Sequence, residues 1–276
     1  MGGLVLFNMN IQKRINAKWL NDHIDDPEIQ IVDAGTAVDY SKGHIRNSVN
    51  IGLTDIVGTQ LGLPAMVISQ DIFEKVLSSK GIDNETHVIA YDNFGGVFAA
   101  RLLWTLEYFG HDEVSVFDGS IKGRIDKAGA FTRDVPTVKK THFVAEVDET
   151  RLATKEWILD HWEDDRITFL DVRTSSEFTG KTVYGKRGGH IPGAVHVHWL
   201  ETIDPTTGRF KSGDDLKILY ENKGIDASKE VVAYCWMGLR ASHGYMILRL
   251  LGYPNVRVYD ASWSEWGELD NVPIET

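Results

Sequence analysis

The sequence predicts two tandem α/β domains, each built on a parallel sheet flanked by helices on both faces. Two observations carry this: the chain repeats its own first half, and each half alternates short β-branched runs with longer apolar segments. The repeat begins where Ala17-Lys18-Trp19-Leu20-Asn21-Asp22-His23 is echoed by Lys155-Glu156-Trp157-Ile158-Leu159-Asp160-His161, so that Trp19 returns as Trp157, 138 residues on. At the same spacing Ile29–Asp33 matches Ile167–Asp171. Gly43-His44-Ile45 returns as Gly189-His190-Ile191, the spacing having grown to 146 through an insertion around residues 181–187. Gly81-Ile82-Asp83 and residues 88–91 and 116–120 return in the same order as Gly224-Ile225-Asp226, 231–234 and 258–262. Ordered matches over the whole chain mark a tandem duplication.

Each half then reads as a series of elements. Ile29–Asp33 and Ile167–Asp171 are short apolar β-branched runs ending in an acid, the pattern of a buried strand. Residues 88–91 and 231–234, and Val114–Phe117 and Val256–Tyr259, read the same way. Between the last two pairs lie residues 99–109 and 241–251, rich in Leu, Ala, Met and aromatics and ending at Gly110 and Gly252, where a helix C-cap is expected. A strand–helix–strand unit of this length implies a right-handed crossover and parallel pairing. Residues 127–149, with Gly129, Pro136 and several charges, read as a linker between a domain over 1–126 and another over 150–276.

Composition narrows the function. The 276 residues are 42% hydrophobic, 25% charged and 10% aromatic, an ordinary globular balance. One cysteine makes no internal disulfide and supplies no multi-thiolate metal site, and nothing calls for a metal or organic cofactor. The net charge of −11 argues against a general nucleic-acid binder. No run approaches the ~20 apolar residues of a membrane span. Residues 1–7 are apolar but short and lack a basic flank, so a cytoplasmic protein with a reduced thiol is expected.

In an α/β sheet, ligands bind beyond the carboxyl ends of the strands. Cys235 lies there, between the strand 231–234 and the following helix. The loop Cys235-Trp236-Met237-Gly238-Leu239-Arg240 is expected to turn its backbone N–H groups inward as a nest continued by the helix N-terminus. A cradle of that kind stabilises a thiolate and any anion bonded to its sulfur. Gly238 permits the tight turn, and Arg240 adds a fixed positive charge. In the first half the corresponding residue is Asp92, followed by Asn93-Phe94-Gly95-Gly96. A carboxylate cannot carry sulfur, so the first half is expected to be inactive and to wall the cleft. His44 and His190 open the same Gly-His-Ile turn in both halves and are expected to stabilise it. Asp33 and Asp171 are expected to tie strand ends to neighbouring backbone, and Trp263 and Trp266 to serve as core or lid.

Taken together, Asp171-Val172-Arg173, Gly189-His190-Ile191-Pro192-Gly193-Ala194, Tyr234-Cys235-Trp236-Met237-Gly238-Leu239-Arg240 and Asp260-Ala261-Ser262-Trp263-Ser264-Glu265-Trp266-Gly267 resemble the tandem-domain rhodanese family, the thiosulfate sulfurtransferases, in their bacterial and archaeal form. The resemblance covers nearly the whole chain. It implies two rhodanese-like domains, the first inactive, and ping-pong sulfur transfer in which Cys235 takes the outer sulfur of thiosulfate, releases sulfite and passes the sulfur to cyanide or a thiol. It implies that Arg240 contacts the anionic donor and that Trp236, Met237, Gly238 and Leu239 line its place. Arg187, just before Gly188-Gly189-His190, is a candidate for the anion entrance. Vertebrate-type members carry basic residues directly after the cysteine and another near the position of Glu177, which this chain does not. Three alternatives stand beside this reading. Relatives acting on 3-mercaptopyruvate usually carry a Cys-Gly-Ser-Gly-Val type loop, unlike Trp236 and Met237 here. Phosphatases of the same fold place five residues between Cys and Arg, whereas four separate Cys235 from Arg240. A persulfide carrier serving a partner protein would use the same Cys235 cradle.

Overall fold

The computed structural model describes residues 13–118 and 131–276. In the first half the elements run β1 (Arg14–Ile15), α1 (Ala17–His23), β2 (Ile29–Asp33), α2 (Ala37–Lys42), β3 (His44–Ile45), β4 (Val49–Asn50), α3 (Leu53–Ile56), β5 (Val57–Gln60), β6 (Leu63–Val67), α4 (Gln70–Ser79), β7 (His87–Tyr91), α5 (Val97–Tyr108), β8 (Val114–Phe117) and β9 (Phe131–Thr132). In the second they run β10 (Leu152–Ala153), α6 (Lys155–His161), β11 (Ile167–Asp171), α7 (Ser175–Phe178), β12 (Val195–His196), α8 (Gly213–Asn222), β13 (Glu230–Tyr234), α9 (Leu239–Leu250), β14 (Val256–Tyr259) and α10 (Ser262–Trp266).

Two parallel five-stranded sheets result, with orders β1-β8-β7-β2-β4 and β10-β14-β13-β11-β12, so the duplication predicted from sequence is a duplication of topology. Even the register repeats: Asp33 pairs with Tyr91 and Asp171 with Tyr234. The two tyrosines explain the recurring Gly-His-Ile turn. Tyr91 Oη accepts the N–H of Ile45 at 3.0 Å, and Tyr234 Oη accepts that of Ile191 at 3.2 Å. The recurring Trp-x-x-x-His is equally local: in α1 and α6 the histidine Nδ1 bonds the tryptophan carbonyl one turn back, at 2.8 and 2.7 Å, and stacks on its ring.

The central helices α5 and α9 begin at Val97 and Leu239, two residues before the positions predicted, because Gly96 and Gly238 take positive φ and start each helix early. In α5, 11 of 12 residues are buried, which marks a helix covered on all sides rather than an amphipathic surface helix. The two helices pack on each other, and one hydrophobic core runs through both halves, including Val88, Leu102 and Trp104 on one side and Val231, Cys235 and Met246 on the other. The β5–β6 hairpin turns at Leu61-Gly62, both at positive φ, as a two-residue hairpin turn requires. It leans on the second domain, where Leu63 and Met66 join that domain's second core cluster.

The predicted linker is not a free connection. Residues 127–130 lie outside the described residues, as do residue 126, where the first domain was expected to end, and residues 1–12. From there β9 pairs antiparallel with β3, and the chain then runs as a strap along the first domain. Thr141 N–H bonds Ser78 O at 3.1 Å, Glu146 N–H bonds Phe109 O at 3.0 Å, and Phe143 is buried against Phe73. Gly110 belongs to this contact, since a Cβ there would lie 2.5 Å from Glu146 O. Apolar residues between polar ones gave the strap no periodicity to read. No helix among the described residues is long and apolar enough to cross a membrane.

Candidate active site

β13 delivers Cys235 at its carboxyl end, 1% exposed and belonging to the core shared by both domains. The chain then turns through Trp236, Met237 and Gly238 into the 12-residue helix α9. Gly238 adopts φ 75°, and the site requires glycine on steric grounds as well, because a Cβ there would lie 2.4 Å from Asp260 Oδ1.

The loop is fastened to the segment after β14. Ser262 sits in the left-handed region at φ 55°, a strained position for a residue with a side chain. Its hydroxyl accepts the N–H groups of Cys235 (3.0 Å) and Gly238 (3.2 Å) and donates to Tyr259 O at 2.6 Å. Cys235 O accepts Trp263 N–H and Trp236 O accepts Ser264 N–H. The nest expected from sequence is therefore corrected in one respect. The amides of Cys235 and Gly238 are taken up by Ser262 Oγ, because a hydroxyl 24 to 27 residues away reaches them.

Arg240, in the first turn of α9, makes a bidentate ion pair with Glu177, both N···O distances being 2.9 Å. Glu177 is buried, and its Oε2 also accepts the N–H and hydroxyl of Thr174, closing a capping box at the start of α7. Burial pushes the Glu177 carboxyl up, but Arg240 and Thr174 outweigh it and hold it down at about 2. Burial disfavours the charge of Arg240 in turn, yet Glu177 and then nearby Cys235 keep it well above its ordinary range. His198 is held below its usual value by burial first, then by His196 and Arg240.

The other predicted residues divide. Trp236, Met237, Leu239 and Arg240 are half-buried around the loop, and Trp236 meets Tyr184 edge-on at 5.6 Å. Arg187 Nη1 bonds Val272 O at 3.2 Å, and its carbonyl accepts Trp263 Nε1 at 3.0 Å, so the inserted loop tethers the C-terminal segment. His44 and His190 are structural as expected, bonding Tyr40 O and Phe178 O at 2.9 Å each. Asp33 accepts Gly35 N–H at 2.8 Å, and Asp171 accepts the N–H and guanidinium of Arg173. Trp263 and Trp266 are core. Among the described residues, no group of three or more His, Cys, Asp or Glu side chains is arranged to hold a metal ion. Two contributors to the loop were missed in the sequence. Glu177 was signalled only by the Thr-x-x-Glu spacing of its capping box, and the anchoring role of Ser262 carried no local signal.

The model of the Rhodanese-like domain matches residues 16–126 and again 154–269. The chain belongs to the rhodanese family. It is similar to a sulfur carrier protein from Thermus thermophilus, 31% identical with 94% of this chain and 95% of the relative covered. A thiosulfate sulfurtransferase from Corynebacterium glutamicum is likewise 31% identical, covering 96% of this chain and 91% of the relative. Among solved structures, a 3-mercaptopyruvate sulfotransferase from Escherichia coli superposes with a TM-score of 0.81 at 28% identity, covering 92% of this chain and all of that one.

The first rhodanese domain holds the counterpart of the Cys235 loop, one residue longer, with Asp92 at the strand end. Its carboxylate accepts four backbone N–H groups, from Phe94, Gly96, Phe98 and Ala99, at 2.7 to 2.8 Å. The loop plugs itself with its own anion. In the first domain the backbone amides after the strand thus converge on the carboxylate at the strand end, whereas in the second the amide of Gly238, the counterpart of Gly96, goes to Ser262 Oγ.

Proposed function

We propose that the chain is a thiosulfate sulfurtransferase working through a persulfide on Cys235. The observation that carries this is the single thiol at the end of β13, at the N-terminus of α9 and beside Arg240. The Cys235 thiolate attacks the outer sulfur of thiosulfate. A Cys–S–S bond forms as the sulfur–sulfur bond of thiosulfate breaks, and the electron pair leaves with sulfite. Cyanide or a thiol then takes the terminal sulfur, its lone pair forming the new bond while the electrons of the S–S bond return to Cys235. Neither half-reaction needs an external oxidant or reductant. Loop amides other than those of Cys235 and Gly238, which Ser262 takes up, stabilise the persulfide anion, and Arg240 favours an anionic donor.

The loop Cys-Trp-Met-Gly-Leu-Arg supports thiosulfate over 3-mercaptopyruvate, because Met237 stands where a proton-handling serine would serve the other donor and Arg240 adds a fixed cation. Intact mass after thiosulfate treatment tests the persulfide: the protein gains one sulfur atom and Cys235→Ser gains none. Uptake by Cys235→Ser would refute the assignment of the nucleophile, and a kcat/KM favouring 3-mercaptopyruvate would refute that of the donor. A second reading, delivery of the sulfur to a partner protein, is favoured by the similarity to the Thermus thermophilus carrier. It predicts persulfide formation with little turnover by cyanide or small thiols.

A further inference from the structure

We propose that Arg101, a residue of the inactive first domain, is a positioning residue for the Cys235 loop; the inference rests on the reading of Cys235 as the sulfur-bearing thiol. Arg101 lies in α5 with its side chain fully buried, stacked over the Trp104 ring at 4.5 Å. Its Nη1 donates to Asp260 Oδ1 at 2.5 Å, and its Nη2 donates to Ala65 O, in the β5–β6 hairpin, at 3.0 Å. The second oxygen of Asp260 accepts Val67 N–H from the same hairpin at 2.8 Å. A carboxylate of the catalytic domain is thus gripped on both oxygens by the other domain.

That carboxylate touches the loop directly. The direction in which a Gly238 side chain would project is filled by Asp260 Oδ1, Asp260 O and Arg101 Nη1, at 2.4, 2.6 and 3.0 Å from an ideal Cβ. Two residues beyond Asp260, Ser262 holds the amides of Cys235 and Gly238. Arg101, Asp260, Ser262 and the loop therefore form one contiguous chain of contacts from the first domain to the sulfur-bearing residue.

The ion pair is poorly suited to be mere interdomain adhesive. Burying two charges costs nearly as much as their attraction returns, so such pairs add little net stability and are better at selecting one geometry. The interface has other ties, among them Glu107 with Tyr245 and Arg249, and Arg14 with the Phe210 and Lys211 carbonyls. Arg101 is distinctive in that it ends against the loop. On this account the first domain, which has Asp92 where the second has its thiol, shares in the chemistry by fixing where Gly238 and Ser262 sit.

The test is the charge-matched double variant Arg101→Met with Asp260→Asn, compared with wild type and with Arg101→Lys. Its expected melting temperature is within a few degrees of wild type. Amide hydrogen exchange across residues 235–240 is expected to quicken about tenfold, and kcat with thiosulfate and cyanide to fall about tenfold while KM stays within about twofold. Sulfur loaded onto Cys235 from inorganic polysulfide is expected to be lost faster, and Arg101→Lys, which keeps one charged contact, to recover part of kcat. Wild-type exchange and kcat in a folded double variant would overturn the proposal, as would lost melting temperature with unchanged kcat per folded molecule. Should the double variant not fold, Arg101→Lys decides alone: a reduced kcat at constant KM supports the brace and a wild-type kcat overturns it. If wild type itself retains no sulfur, the functional reading fails, and the exchange comparison still reports whether Arg101 holds the loop.

Discussion

Both terminal nitrogens of Arg240 lie 2.9 Å from a carboxylate oxygen of Glu177, so the cation nearest in sequence to Cys235 is matched by a buried anion before any donor arrives. The arrangement orients the guanidinium but weakens its field at the thiol. Glu177→Gln keeps the capping box with Thr174 and removes the opposing charge. Steady-state kinetics should show KM for thiosulfate falling about threefold to tenfold, with kcat little changed. The same carboxyl has an acid-stability signature. Held at about 2 in the fold against 4.5 for the free group, it contributes stability that is complete above pH 4.5 and lost as pH falls toward 2.

Asp92 is the internal plug of the first domain, and its value lies in being an acceptor on every face. Asp92→Asn turns one oxygen into an N–H₂ donor facing backbone N–H groups, leaving buried amides unpaired. The expected loss is about 2–4 kcal/mol in urea or thermal unfolding, while Cys235 still takes up sulfur.

His243 sits fully buried in α9 between Trp199 and Phe210, and burial holds its pKa at about 4. A depressed histidine binds its proton more readily unfolded than folded. Its contribution is therefore intact above pH 6.5 and is lost as pH falls from there toward 4, by on the order of 3 kcal/mol. Stability measured against pH should lose that part of its slope in His243→Leu.

The strap is testable through Phe143, 1% exposed against Phe73 and His111. Phe143→Ala should destabilise the protein by about 3–5 kcal/mol, read by chemical denaturation, which a residue in a solvated linker would not do.

The duplication, the parallel strands and the central helices could be read from the sequence because each is a local pattern: β-branched runs of four or five residues, apolar stretches closed by Gly110 and Gly252, and motifs repeated in order. Cys235 and Arg240 were legible for the same reason, being five positions apart on one loop. The strap escaped, since its burial is dictated by the surface it lies on and not by a period of its own.

By itself, then, the sequence determined three strands and the central helix of each half, that the fold occurs twice, and which half has a thiol. Only the tertiary structure decided how that thiol is held. Glu177 reaches Arg240 across 63 residues, Ser262 reaches the amide of Cys235 across 27, and Arg101 reaches Asp260 across 159. Such contacts exist because strands from distant parts of the chain end at the same sheet edge and because two domains bury their central helices together. No local periodicity encodes them; they follow from packing alone.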